Sequence, residues 1–229
     1  MRGVPVPTVL RELGKLYDPP RTFLDHRNAF ELLVATILSA QCTDARVNII
    51  TKTLFAKYRS PRDLLAVPPE GLQQDIRSCG HYRNKTRHLQ GAAKLLLEKY
   101  DGEVPGTMDE LLELPGVGRK TATVILYSIF GQEAGIAVDT HVWRVAKRLG
   151  LTGRNDQKRI ELDLMKATPR PKWGRLHTLL VMHGRAICTA RARQCAACSF
   201  AKTCPSSSVM NRADRAGVGH KQVRKKPAR

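Results

Sequence analysis

Four cysteines fall within 17 residues as Cys188-x6-Cys195-x2-Cys198-x5-Cys204. Four thiolates in one loop hold zinc or an iron–sulfur cluster. Structural zinc sites usually draw two cysteine pairs across a longer spacer, whereas here a single Cys-x2-Cys pair is flanked by lone cysteines. The spacing therefore favours a 4Fe-4S cluster over zinc, with a metal-free reactive thiol group in third place. A second constellation is Leu114-Pro-Gly-Val-Gly-Arg-Lys-Thr-Ala122, where Gly116, Val117 and Gly118 form a turn leading into an apolar helix. Glycine lets the backbone approach another molecule, and the helix N-terminus behind it offers unpaired N–H groups to a phosphate. A sequence-independent clamp on a DNA backbone is the implied use; the plain alternative is an ordinary corner between helices. Lys120 stands in the first turn of that helix. Most lysines are solvated surface charges, but a helix N-terminus and partial burial both disfavour an ammonium and favour a free amine, able to attack a sugar C1′ and form a Schiff base. Asp139, in Val138-Asp-Thr-His141, sits at another helix start. An aspartate there needs no role beyond capping, yet a rigid capping carboxylate can also stabilise an oxocarbenium-like transition state or take a proton from the amine.

The elements that must position these groups read as helices. Phe30, Leu33, Val34, Ile37 and Leu38 share one helical face, and Val47, Ile50, Leu54 and Tyr58 follow a capping Thr43. Ser60-Pro61 opens a further helix, and Thr107 with Glu110 forms a capping box before a short one. The chain pauses at Pro68-Pro69-Glu70-Gly71 and near Gly80. Helices are expected over about 119–130, 139–149, 157–167 and 172–187, giving an all-α protein of about ten helices. After Pro205 the composition changes to seven Lys/Arg against one Asp, which reads as a disordered basic tail over 206–229.

The whole chain has 39 Lys/Arg against 20 Asp/Glu, a formal net charge of +19, which points to a polyanionic partner. With 42% apolar residues in 229, the chain has enough to build a core. Its longest apolar stretch, Phe30 to Ala40, is interrupted by Glu31 and Thr36 and is far short of the roughly 20 residues of a membrane span. No secretory signal is read in the first 24 residues, and cysteines clustered in one segment are not a secreted disulfide framework. A reducing, intracellular compartment is expected, the cytoplasm or nucleoid if the source is bacterial.

Taken together, the Leu114–Ala122 hairpin, the Val138–His141 segment, His183-Gly-Arg-x-x-Cys188 and the four-cysteine loop resemble the endonuclease III family of helix-hairpin-helix DNA glycosylases, across roughly residues 8–205. The resemblance implies two helical lobes with DNA in the cleft between them: a six-helix barrel over 25–134 carrying the hairpin, and a smaller lobe of 1–24 with 135–205 carrying a 4Fe-4S cluster. It implies that Lys120 is the nucleophile and Asp139 its carboxylate, removing oxidised or ring-saturated pyrimidines from duplex DNA and then cutting 3′ to the abasic site by β-elimination. Cys188, Cys195, Cys198 and Cys204 would hold the cluster, and Arg191 and Arg193 would contact phosphates beside it. Ser39-Ala-Gln41 matches one loop that fills the space left by the flipped nucleotide, so Gln41 would face the orphaned base. In the second such loop the family usually presents leucine, and this chain has Gly80-His81-Tyr82, so His81 would supply an imidazole instead. The implied partner is double-stranded DNA bearing damaged pyrimidines or abasic sites, with no membrane, bound by a monomer. Two rivals remain: an adenine-removing mismatch glycosylase, which usually has a hydroxyl residue in place of Lys120 and an extra C-terminal domain, and a DNA-binding module without catalysis.

Overall fold

Side-chain caps set six of the eleven α-helix N-termini among the described residues. The computed structural model describes residues 3–209, and in them eleven α-helices and three short 3-10 turns, with no strand beyond one bridge between Cys188 and Arg193. Helix α1 (Val6–Leu16) opens on proline, α2 (Ala29–Leu38) is capped by Asn28 and α3 (Asp44–Lys57) by Thr43. Helix α4 (Pro61–Ala66) begins with a reciprocal cap, in which Ser60 and Asp63 each accept a backbone N–H from the other. Such caps contribute about 1 kcal/mol each. Helix α5 (Pro69–Asp75) occupies the stretch that reads as a pause, because proline in the first turn lacks only an N–H that has no helical partner there anyway. Then follow α6 (Tyr82–Lys99), α7 (Met108–Glu113), α8 (Arg119–Phe130), α9 (Thr140–Leu149), α10 (Gln157–Ala167) and α11 (Trp173–Ala186). Thr107 caps α7 by accepting the Glu110 N–H, but the reciprocal half of the expected box is not formed among the described residues: the Glu110 carboxylate accepts the Thr107 hydroxyl at 2.6 Å instead of the Thr107 backbone N–H.

The chain divides into two units, one of Pro20–Ala134 and one joining the chain up to Pro19 with the chain from Gly135 onward. The first holds α2 to α8. Its centre is α2, which differs from the one-faced helix expected from periodicity: Phe30 to Leu38 are all buried. Glu31, 2% exposed, lies within that run, and Arg27 stabilises its charge by donating from Nε at 2.8 Å and from its own backbone N–H at 2.7 Å. Packed around α2 are Val47 and Leu54 of α3, Leu89 and Leu96 of α6, and Ile125 and Leu126 of α8. The second unit holds α1, α9, α10 and α11, with buried Leu13, Val145, Leu149, Leu176 and Leu180. No helix among the described residues is long and apolar enough to cross a membrane.

Candidate active site and cysteine loop

Pro115 and Gly116 rest on α6. Gly116 has φ +83, and a Cβ there would lie 2.8 Å from the Cβ of His88, so the turn requires glycine twice over. Gly118, the N-cap of α8, has open space where a Cβ would stand and supplies no side-chain cap. The N–H groups of Gly116 and Gly118 find no acceptor among the described residues. Val117 differs from the expected DNA-facing role: its side chain is buried and its N–H donates to Leu114 at 3.0 Å, so it anchors the hairpin to the core. Lys120 is exposed in the first turn of α8, with no partner for its ammonium among the described residues. The partial burial expected for it is absent among the described residues.

Asp139 belongs to the other unit. It is half-buried and caps α9, accepting the Val142 N–H at 2.7 Å. The approach to it, Ile136 to Val138, is buried, and His177 of α11 holds the Ala137 carbonyl at 2.7 Å. Helix α9 then carries Arg144, which donates to the Gly184 carbonyl at 2.8 Å and the Cys188 carbonyl at 3.0 Å and lies 3.1 Å from His141 Nδ1. Gly184 explains the His183-Gly-Arg motif, since a Cβ there would lie 3.1 Å from both His141 Cβ and Val145 Cγ2 and push α9 from α11. Sequence reasoning missed His177 and Arg144; nothing in their local spacing announces them, because their partners lie some 40 residues away.

The four clustered cysteines line one small apolar cavity, shared with Arg148, Leu149, His183, Ile187 and Phe200. Arg148 donates to Cys188 Sγ at 3.4 Å, the Phe200 N–H donates to Cys198 Sγ at 3.4 Å, and His183 Nε2 lies 3.5 Å from the same sulfur. Burial pushes the Cys204 thiol up to about 11 and also raises Cys198, while hydrogen bonds from Ser208 lower Cys195. Any metal must therefore displace protons from the more deeply set pair. Among the described residues, no three His, Cys, Asp or Glu groups converge as a single ion requires. A lone zinc would draw four sulfurs to about 3.8 Å from one another, given its 2.3 Å bonds. A cubane gives each thiolate its own iron and holds the sulfurs further apart, so this donor set around one cavity fits the larger group better. Arg193 is exposed and donates to the Ser206 carbonyl at 2.9 Å; Arg191 is exposed. Ser207 is 2% exposed, so the first residues read as tail pack on the cysteine loop; the rest of that segment, 210–229, lies outside the described residues.

Gln41 and His81 are exposed in the first unit, and both have left-handed backbone, at φ 55 and φ 48. Non-glycine residues in that region store about 1–3 kcal/mol each, and such strain gathers at functional sites. The local sequence carries no sign of it.

Residues 34–170 match the family of HhH-GPD superfamily base excision DNA repair proteins. Over 196 residues the chain is 50% identical to endonuclease III of Bacillus subtilis (strain 168), covering 85% of this chain and 89% of that protein. The chain belongs to the endonuclease III family. Two solved structures are similar along most of their length: a non-covalent endonuclease III–DNA complex, with TM-score 0.84 and 49% identity, and a trapped endonuclease III–DNA covalent intermediate described as an estranged-adenine complex, with TM-score 0.84 and 48% identity. Each match covers 88% of this chain and 94% of the other. Membership gives a reason for the motif spacing: hairpin lysine, capping aspartate and cysteine loop are all present in one chain.

Proposed function

We propose that this protein is a bifunctional DNA glycosylase and abasic-site lyase of base excision repair, acting on oxidised or ring-saturated pyrimidines in duplex DNA. The observation that carries the reading is the exposed Lys120 in the first turn of α8, without a partner among the described residues, directly behind a hairpin whose Gly116 and Gly118 N–H groups find no acceptor there and can take a phosphate. Its support from relatives is the covalent DNA intermediate trapped in a protein 48% identical to this one. In this reading the hairpin fixes the backbone of a flipped nucleotide, and Lys120 Nζ attacks C1′ as the base leaves with its bonding electrons. Asp139 balances positive charge developing on the sugar and accepts the amine proton. The sugar ring opens to a Schiff base between Nζ and C1′; loss of a C2′ proton then expels the 3′ phosphate, and water releases the lysine. Gln41 and His81 occupy the gap left in the stack, in keeping with the estranged base named for the related complex. The net charge of +19 draws the protein to DNA without selecting a site.

Cys188, Cys195, Cys198 and Cys204 would hold a 4Fe-4S cluster, which staples the loop by bonding four points of it at once. Arg191 and Arg193 would then reach phosphates from a fixed loop. Anaerobically prepared protein is expected to be brown with about four irons per chain; stoichiometric zinc in its place would reject this assignment.

Borohydride reduction with a duplex containing one abasic site tests the catalytic reading. A covalent adduct is expected with the native protein and not with Lys120→Gln. An undiminished adduct in the variant would remove Lys120 from its role, and no adduct in either would favour a non-catalytic DNA-binding module. Release of adenine from a mismatch, with no pyrimidine lesion released, would favour the mismatch glycosylase.

A further inference from the structure

The loops carrying Gln41 and His81 meet at a buried ammonium that the proposed chemistry does not use. Lys85 of α6 is 3% exposed, and among the described residues its Nζ touches only Cys79, donating to the carbonyl oxygen at 2.8 Å and to Sγ at 3.4 Å. No carboxylate pairs with it among those residues. A buried cation without a counter-ion is costly, and methionine would fill the same space without that cost.

What Lys85 holds is the junction of two strained loops. Cys79 directly precedes Gly80 at φ 65 and His81 at φ 48, so the residue that presents the imidazole is the second of two consecutive positive-φ residues. Helix α6 begins at that point with no side-chain cap, and its first-turn donors Asn84 and Lys85 close onto the His81 carbonyl at 3.0 and 3.1 Å. The side chain of Lys85 reaches back past His81 to grip the carbonyl before Gly80. From the same residue the Cys79 thiol donates to the Leu38 carbonyl at 3.1 Å and contacts Cys42. Leu38 ends α2, and Ser39-Ala40-Gln41 follows at once. A single cation thus orients the peptide that leads to His81 and, through Cys79, the helix end that leads to Gln41.

We propose that Lys85 is a positioning residue for nucleotide displacement: its ammonium aligns the Gln41 and His81 loops so that both side chains enter the gap together. The proposal rests on reading Gln41 and His81 as the residues that fill that gap. Lys85 touches neither DNA nor the reacting atoms, and it acts through Cys79.

A double-mutant cycle separates positioning from general support of the fold. Single-turnover base release is measured on duplexes carrying dihydrouracil opposite each of the four bases. The proteins compared are the native one, Lys85→Met, the pair Gln41→Ala with His81→Ala, and all three changes together. Lys85→Met is expected to slow release at least tenfold and to flatten the dependence on the opposite base. Added to the Gln41/His81 pair, it is expected to slow release by less than a further twofold, because the side chains it aligns are already gone. Equal slowing in both backgrounds would overturn the proposal and leave Lys85 as a general fold contact. No slowing from the Gln41/His81 pair alone would instead overturn the reading of those two residues, and the proposal with it. Should Lys85→Met fail to fold, Lys85→Arg keeps the charge but not the single-point grip on the Cys79 carbonyl, and it is expected to show the same non-additivity.

Discussion

The two hairpin glycines stand one residue apart, and alanine should damage the protein differently at each. At Gly116 the φ of +83 makes any Cβ costly, by about 1–2 kcal/mol. The added atom would also sit 2.8 Å from the Cβ of His88, which is tied to the α6 backbone and cannot swing aside, for a further overpacking cost of about 1–3 kcal/mol. The sum is about 2–5 kcal/mol; its centre, about 3.5 kcal/mol, corresponds to a fall of about 7–14 °C in Tm for a chain of this size. At Gly118 the φ of −101 suits alanine and nothing lies within 4 Å of the new atom. Only a weaker N-cap preference is lost, worth well under about 1 kcal/mol. That open space is where a phosphate would approach, however. A methyl group that displaces one charge-assisted hydrogen bond removes about 1.5–3 kcal/mol of binding, or roughly 10–100-fold in Kd. Thermal unfolding by circular dichroism gives the first quantity, and fluorescence anisotropy on a duplex with a non-cleavable abasic analogue gives the second. Gly116→Ala should lower Tm, and Gly118→Ala should weaken binding at nearly unchanged Tm. Full DNA affinity in Gly118→Ala, or a loss of Tm there as large as in Gly116→Ala, would refute the assignment of the unengaged N–H groups to phosphate.

Asp139 can be split into its two roles. Asparagine caps a helix as well as aspartate does, so Asp139→Asn should keep Tm within about 3 °C while slowing base release by orders of magnitude, and an active variant would leave Asp139 a cap and nothing more. The two ends of the basic segment should also separate. A chain ending after Pro205 loses the Ser206 carbonyl that holds Arg193, the buried Ser207 and the Ser208 contacts to Cys195, so it should release the iron of the proposed cluster to a chelator faster than a chain ending after Val209. The longer truncate should differ from the full chain mainly in a shallower salt dependence of DNA affinity, since it removes seven Lys/Arg and one Asp; unchanged salt slopes would show that this charge does not meet phosphate.

Much of the molecule is legible along the chain, because the signals involved are local. Cap residues such as Thr43, Ser60 and Thr107 act within three residues of themselves, and they do so here as their spacing predicts. The hairpin glycines, Lys120 behind them and the four-cysteine spacing are local too, and together they sufficed to point to the family. The misreadings share a cause. Pro69 looks like a break because proline stops some helices and starts others, and only the packing around Leu72 decides which. Val117 lies in an exposed-looking turn, yet its neighbours in space make it core. Lys120 lacks the burial expected of it, because burial depends on what surrounds a residue and not on its position in a helix.

By itself, the sequence determined most of the helices, the reactive residue types and the attraction to a polyanion, all of which follow from neighbours in the chain and from composition. Tertiary structure alone decided that Arg144 would join the Asp139 helix to the cysteine loop, that Gly184 would let α9 and α11 approach, and that Lys85 would lie buried against Cys79 between two strained loops. Those contacts depend on how helices far apart in the chain pack against one another, and no local periodicity encodes that distance.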